Sequence, residues 1–140
     1  MRKNSKTIGD IAELKAATYF AENDCYVMTP FGDNAPYDLV IDDHTSLLKV
    51  QVKSRNEKNG VVELHLYTQD KRGKKTLFTE KDFDLLFIYL PNQKRACLLN
   101  WDDLNKIKEN ASENMRLRLI PTKNNQKKGV NFFKDYEIVL

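Results

Sequence analysis

With 140 residues, 41% of them hydrophobic and 31% charged, the chain is long enough for one domain with a real core and too apolar for a disordered polyelectrolyte. Its net charge of +3 is mildly basic and by itself neither demands nor excludes a nucleic-acid partner. The longest wholly apolar run, Leu85 to Leu90, is far below the roughly 20 residues that a bilayer-spanning helix needs, and the basic stretch Met1 to Lys6 leads into an amphipathic pattern rather than a signal-like apolar segment. A cytoplasmic protein with no membrane partner is expected. The two cysteines, Cys25 and Cys97, sit far apart in apolar runs and read as buried reduced thiols, and no Cys/His spacing suggests zinc.

Taken in order, the spacing predicts a helix over 7–23, capped by Ser5 or Thr7, with Ile8, Gly9, Ala12, Ala16, Tyr19 and Phe20 on its apolar stripe. Its small residues let it lie close to a sheet. Glu13 shares the packing face, which marks it as a boundary residue or a site residue. Cys25 to Pro30 reads as a first strand, and the turn formers Gly32 to Pro36 as a tight loop. Pro36 to Asp42 is a second strand with Asp38 near its start. Leu47 to Ser54 alternates strictly, Leu48, Val50 and Val52 to one face, Lys49, Gln51 and Lys53 to the other. Val61 to Tyr67 alternates again, Gln69 to Thr76 reads as a polar basic loop, and Thr79 to Asp82 as a short helical turn. Leu85 to Leu90 is a strand covered on both faces, with Arg95 to Leu99 as its hairpin partner. Asn100 caps a second helix that turns Trp101, Leu104 and Ile107 inward. Met115, Leu117 and Leu119 alternate with Arg116 and Arg118, 123–128 is a basic loop, and Tyr136 to Leu140 adds a last strand. With no linker or repeat, residues 1–140 read as a single α/β domain, a mixed sheet flanked by helices.

An unpaired row of charged and amide groups on a central strand is costly to bury and needs a purpose. An acid on one strand and Gln-x-Lys on the next is a pattern suited to metal-dependent phosphodiester hydrolysis. Hard oxygen donors hold Mg²⁺ or Mn²⁺: the carboxylate of Asp38, the amide oxygen of Gln51 and the carbonyl of Val52. Lys53 lies about 7 Å beyond Gln51 on the same face, where a cation orients water or offsets transition-state charge. Glu13 reaches the same place if the helix packs over these strands. Taken singly, Glu13 is a solvated boundary acid, Asp38 a turn cap, and Gln51 and Lys53 surface residues; their joint placement favours a site. His44, His65, Asp42 and Asp43 read as surface or turn residues.

The segments Gly9-Asp10-Ile11-Ala12-Glu13-Leu14-Lys15, Gly32 to Leu39 and Val50-Gln51-Val52-Lys53 resemble the PD-(D/E)xK nuclease superfamily, closest to the branch of group I intron-encoded homing endonucleases. The resemblance is strongest over residues 8–54. It implies a restriction-endonuclease-like core, Asp38 as the first acid and a metal ligand, Glu13 as the helix acid and Lys53 as the motif lysine. Tyr37 interrupts the Pro-Asp pair, and Gln51 replaces the usual second acid, as in the homing-endonuclease branch. The implied function is a Mg²⁺-dependent endodeoxyribonuclease cutting double-stranded DNA to 5′-phosphate and 3′-hydroxyl ends, working as a homodimer or tetramer. The alternatives are a Holliday-junction resolvase, a restriction-type nuclease, or an inactive DNA-binding module. Lys49, Arg55, Lys71, Arg72, Lys74, Lys75, Lys123, Lys127 and Lys128 are candidate phosphate contacts, against the plain alternative of solvated loops.

Overall fold

The structure is a computed structural model that describes residues 4–108, 113–124 and 127–140. The predicted basic residues Arg2 and Lys3, and 125–126 of the basic loop, lie outside the described residues. Helix α1, Ser5–Glu22, opens two residues earlier and ends one residue earlier than its spacing predicts. Neither Ser5 nor Thr7 caps it: Asn4, extended at φ −80°, accepts the Thr7 N–H at 2.9 Å with its side-chain oxygen. Either hydroxyl would have served equally by composition, and the cap falls where the chain first leaves extended geometry.

Six strands form the central sheet in the order β1 (Tyr26–Met28), β2 (Leu39–Asp42), β3 (Leu47–Ser54), β7 (Leu85–Leu90), β8 (Arg95–Asn100) and β10 (Glu137–Ile138). All pairs are antiparallel except β3 with β7. Between those two the chain makes a long excursion through β4 (Val61–His65), β5 (Tyr67–Gln69) and β6 (Lys75–Leu77). Strand β4 pairs with β9 (Asn114–Arg118) as a second, two-stranded sheet, and β5 with β6 as a third.

The alternation of β3 and the continuous apolar run of β7 decide where the core lies. On one sheet face, α1 sets Ala12, Ala16 and Phe20 against Leu39, Ile41, Val50, Val52, Phe87 and Tyr89. Ala16 is fully buried, so the small residues do bring helix and sheet close. On the other face Leu86, Ile88 and Leu90 meet Val62, Leu64, Met115 and Leu117 of the β4–β9 sheet, Leu104 and Ile107 of helix α2 (Trp101–Ile107), and Phe133 of a short 3-10 helix over Phe133–Asp135. Burial of this many large side chains, at about 25 cal/mol per Å² of apolar area, is the main favourable term of the fold. Asn100 caps α2 in a reciprocal box with Asp103.

Four expectations change. Residues 69–76 form most of a hairpin rather than a loop. Thr79 to Asp82 is a non-helical turn, closed by the Asp82 carboxylate accepting the Thr79 N–H at 2.7 Å. Strand β2 starts at Leu39, which leaves Asp38 just outside it. Cys97 is buried, but Cys25 is only half-buried. Among the described residues, no helix is long and apolar enough to cross a membrane.

Candidate active site

Strand β3 outruns its neighbour. The ladder with β2 ends at the pair Leu39 and Val50, whereas β3 continues along β7 through Ser54. From Gln51 onward the edge that faces β2 has no strand beside it, and Asp38 fills the gap. Its N–H donates to the Val50 carbonyl at 2.9 Å, and its carboxylate accepts the Val52 N–H at 2.8 Å. The N–H and C=O of one strand residue point to the same edge, so the Val52 carbonyl also faces this opening.

Helix α1 brings the second acid. The Glu13 carboxyl comes close enough to that of Asp38 for one to donate a hydrogen bond to the other. Burial, that hydrogen bond, and the charges of Asp38 and Asp10 together push the Glu13 carboxyl up to about 7. Both acids line a cleft of about 290 Å³ with Thr29, Pro30, Gly32, Asp33, Ala35 and Tyr37. The loop that walls it turns at Gly32, whose φ of 85° suits glycine. Two carboxyls facing one cleft make a natural seat for a cation.

Gln51 and Lys53 lie on the sheet face away from α1. No hydrogen bond reaches the Gln51 amide among the described residues. The Lys53 ammonium stands 5.4 Å from the centroid of the Phe78 ring. Burial first, then the charge of Arg55, lowers its pKa, while the charge of Asp38 pulls the other way. Lys53 also borders a separate cleft with Ser5, Ile8, Gly9, Arg55 and Asn56, at the start of α1 and the end of β3.

Among the described residues, no three His, Cys, Asp or Glu side chains gather as a metal cluster. Neither Gln51 nor Val52 lines the acid cleft, but the Gln51 amide and the Val52 carbonyl are of the hard oxygen type that could complete the acid pair. A hard divalent cation fits this donor set; a soft or imidazole-seeking metal does not.

The predicted basic residues divide by surroundings. Lys49 is engaged structurally: its N–H donates to Asp84 at 2.8 Å and its ammonium to the Lys81 carbonyl, beside the Tyr37 ring. Arg55 donates to the Ser54 carbonyl at 2.7 Å. Lys75 pairs with Glu113 at 3.0 Å, over the Tyr67 ring. Lys71, Arg72 and Lys74 are exposed at the β5–β6 turn, and Lys123, Lys127 and Lys128 are exposed on the loop after β9. Two residues near the site carried no sequence signal: Asp84, which joins the starts of β3 and β7 by also donating its N–H to the Lys49 carbonyl at 2.8 Å, and Phe78, which supports Lys53.

A family model described as PD-(D/E)XK endonuclease matches residues 3–139. The chain is similar in structure to a bacterial homing endonuclease, I-Ssp6803I, at 28% identity and TM-score 0.72, over 96% of this chain and 89% of that one. It also resembles the Holliday junction resolvase Hjc of Archaeoglobus fulgidus, at 15% identity and TM-score 0.52, over 79% of this chain and 83% of that one, a likeness of fold. No curated protein matches the chain by sequence.

Proposed function

Because the chain belongs to the PD-(D/E)XK endonuclease family, we propose that residues 1–140 act as one metal-dependent endodeoxyribonuclease domain that hydrolyses DNA phosphodiester bonds, as a homing-type double-strand cutter. The observation that carries this is the acid pair: Glu13 and Asp38, brought from separate elements to line one cleft at the point where β3 loses its neighbour.

Glu13, Asp38, the Gln51 amide oxygen and the Val52 carbonyl would hold Mg²⁺ or Mn²⁺. Such an ion, when bound, supplies phosphate-charge neutralisation and a lowered water pKa. The chain supplies the rest. Asp38 is oriented before substrate arrives, because the Val52 N–H fixes one of its oxygens. Glu13, whose carboxyl burial and Asp38 raise to about 7 in the metal-free protein, would be deprotonated when the ion binds and would then orient the water beside it. Lys53, poorly solvated against Phe78, offers a cation that offsets charge developing on the phosphate. Products are 5′-phosphate and 3′-hydroxyl ends.

Cutting both strands of a duplex calls for two such sites, hence a homodimer or tetramer. Leu14, Val139 and Leu140 are exposed and border one groove between α1 and the C-terminal residues, a candidate contact between copies. The reduced, half-buried and buried cysteines suit the cytoplasm.

The test is nicking and linearisation of supercoiled plasmid in Mg²⁺ or Mn²⁺ by wild type and Asp38→Asn. Cleavage by the wild type alone is expected. Cleavage by neither, across varied DNA, leaves a DNA-binding module; preference for a four-way junction over linear duplex moves the assignment to a resolvase.

A further inference from the structure

The β5–β6 hairpin serves neither core nor acid site. It pairs with no other described strand; Tyr67 stands opposite Leu77, Thr68 opposite Thr76 and Gln69 opposite Lys75. All six residues are exposed except half-buried Tyr67. A lone two-stranded ribbon is marginal in water, and local devices hold this one. The Asp70 carboxylate accepts the N–H groups of Arg72 and Lys74, each at 2.9 Å; Gly73 turns at φ 87°; Gln69 donates to the Gly73 carbonyl at 3.0 Å. Asp70 is the only acid in 67–78 and is engaged within the turn, and none of the ion pairs among the described residues includes Lys71, Arg72 or Lys74.

The two faces differ. Alternation places Leu66, Thr68, Thr76 and Phe78 on one of them. Leu66 and Phe78 are buried at its root, where the Phe78 N–H donates to the Leu66 carbonyl at 3.0 Å and the Phe78 ring meets Lys53. A continuous strip thus runs from Lys53 over Phe78 to the threonine pair and on to Lys74, about 13 Å beyond Phe78 at strand rise. The opposite face is occupied by its own contacts, Lys75 with Tyr67 and Glu113. The threonine face has hydroxyls, methyls and cations and no large apolar side chain beyond its root, which suits a polyanion with readable edges and not an apolar protein surface. The major groove of DNA admits a two-stranded ribbon, and threonine meets its base edges with either hydroxyl or methyl.

We propose that the β5–β6 hairpin enters the major groove of the DNA substrate, Thr68 and Thr76 reading base edges with their hydroxyls while Lys71, Arg72 and Lys74 hold the flanking phosphates. This rests on the nuclease function above and adds to it a sequence-reading element fixed in distance from the cut, because the hairpin's root packs on Lys53.

Two measurements separate this from the nuclease function itself. In the first, wild type and a Thr68→Val/Thr76→Val double variant cleave a randomised duplex library and the cut ends are sequenced; valine keeps the β-branched shape and removes the hydroxyls. Base preference should weaken by roughly tenfold or more at positions on one side of the cut, and identical preference profiles would overturn the proposal while leaving the nuclease intact. In the second, duplex binding is competed with methyl green in the major groove and distamycin in the minor groove. Methyl green alone should compete, and less so against a Lys71→Ala/Arg72→Ala/Lys74→Ala variant. Indifference of wild-type binding to methyl green, or no duplex binding at all, overturns the hairpin proposal; competition by a wild type that cuts nothing overturns the nuclease function and leaves the hairpin standing.

Discussion

The Asp38 carboxylate accepts the main-chain N–H of Val52 across 2.8 Å, in the place where a continued β2 would have supplied a ladder carbonyl. One side chain thus serves as strand partner and as candidate metal ligand, and two substitutions separate the roles. Asp38→Asn keeps an oxygen acceptor for Val52 and removes the charge. Asp38→Ala leaves the N–H without a partner, at about 1–3 kcal/mol if it is shielded from water. Both should lose cleavage, and only the alanine variant should melt lower. Equal melting of the two, by calorimetry, would show that the Val52 contact does not hold the site.

Much of this arrangement is legible in the sequence, and the exceptions share a cause. Strand β3 and strand β7 fall on their expected residues, because strict alternation and an unbroken apolar run each admit one reading. Glu13 stands out as an acid on a packing face. The β5–β6 hairpin was hidden because a ribbon exposed on both faces has no alternation to display, and its basic residues look like loop composition. The contact of Phe78 with Lys53 was hidden for another reason: it depends on how the long excursion between β3 and β7 folds back, which no local pattern encodes.

Lys53 is held against Phe78 with its pKa lowered by burial, so its ionised form carries a desolvation cost in the folded protein. Lys53→Met keeps the apolar stem and removes that cost. Cleavage should fall by about 10²–10⁴, the range of a lost proton-transfer or charge-stabilising group, while the melting temperature stays level or rises. Turnover near wild type in the methionine variant would sink the catalytic assignment of Lys53.

Glu13 gives a pH signature to the metal-free protein. Its folded pKa, about 7, lies above its ordinary 4.5, so between those values the folded state binds more protons than the unfolded chain. Stability must therefore fall as pH rises through that window. Melting measured in chelator at pH 5 and pH 8 should show the decline, and Glu13→Gln should flatten it. Added Mg²⁺ or Mn²⁺ should stabilise the wild type more at pH 8 than at pH 5, since ligands bind metal deprotonated. A metal effect independent of pH would separate Glu13 from the metal site.

The basic residues are distinguished by what already occupies them, and salt titration reads that difference. Lys49, Arg55 and Lys75 have acceptors within the protein, whereas Lys71, Arg72 and Lys74 lie at an exposed turn whose one acid is engaged by main-chain N–H groups. Each phosphate neutralised contributes about −0.9 to the slope of log K against log salt for duplex DNA. Replacing the three turn cations with alanine should make that slope shallower by up to about 3, since each loses roughly one unit. Lys75→Ala should leave it nearly unchanged, because Glu113 already neutralises that charge at 3.0 Å. Fluorescence anisotropy on a labelled duplex between low and moderate salt measures both. Equal slopes for wild type and the triple variant would place the phosphate contacts elsewhere, with the exposed Lys123, Lys127 and Lys128 next in line.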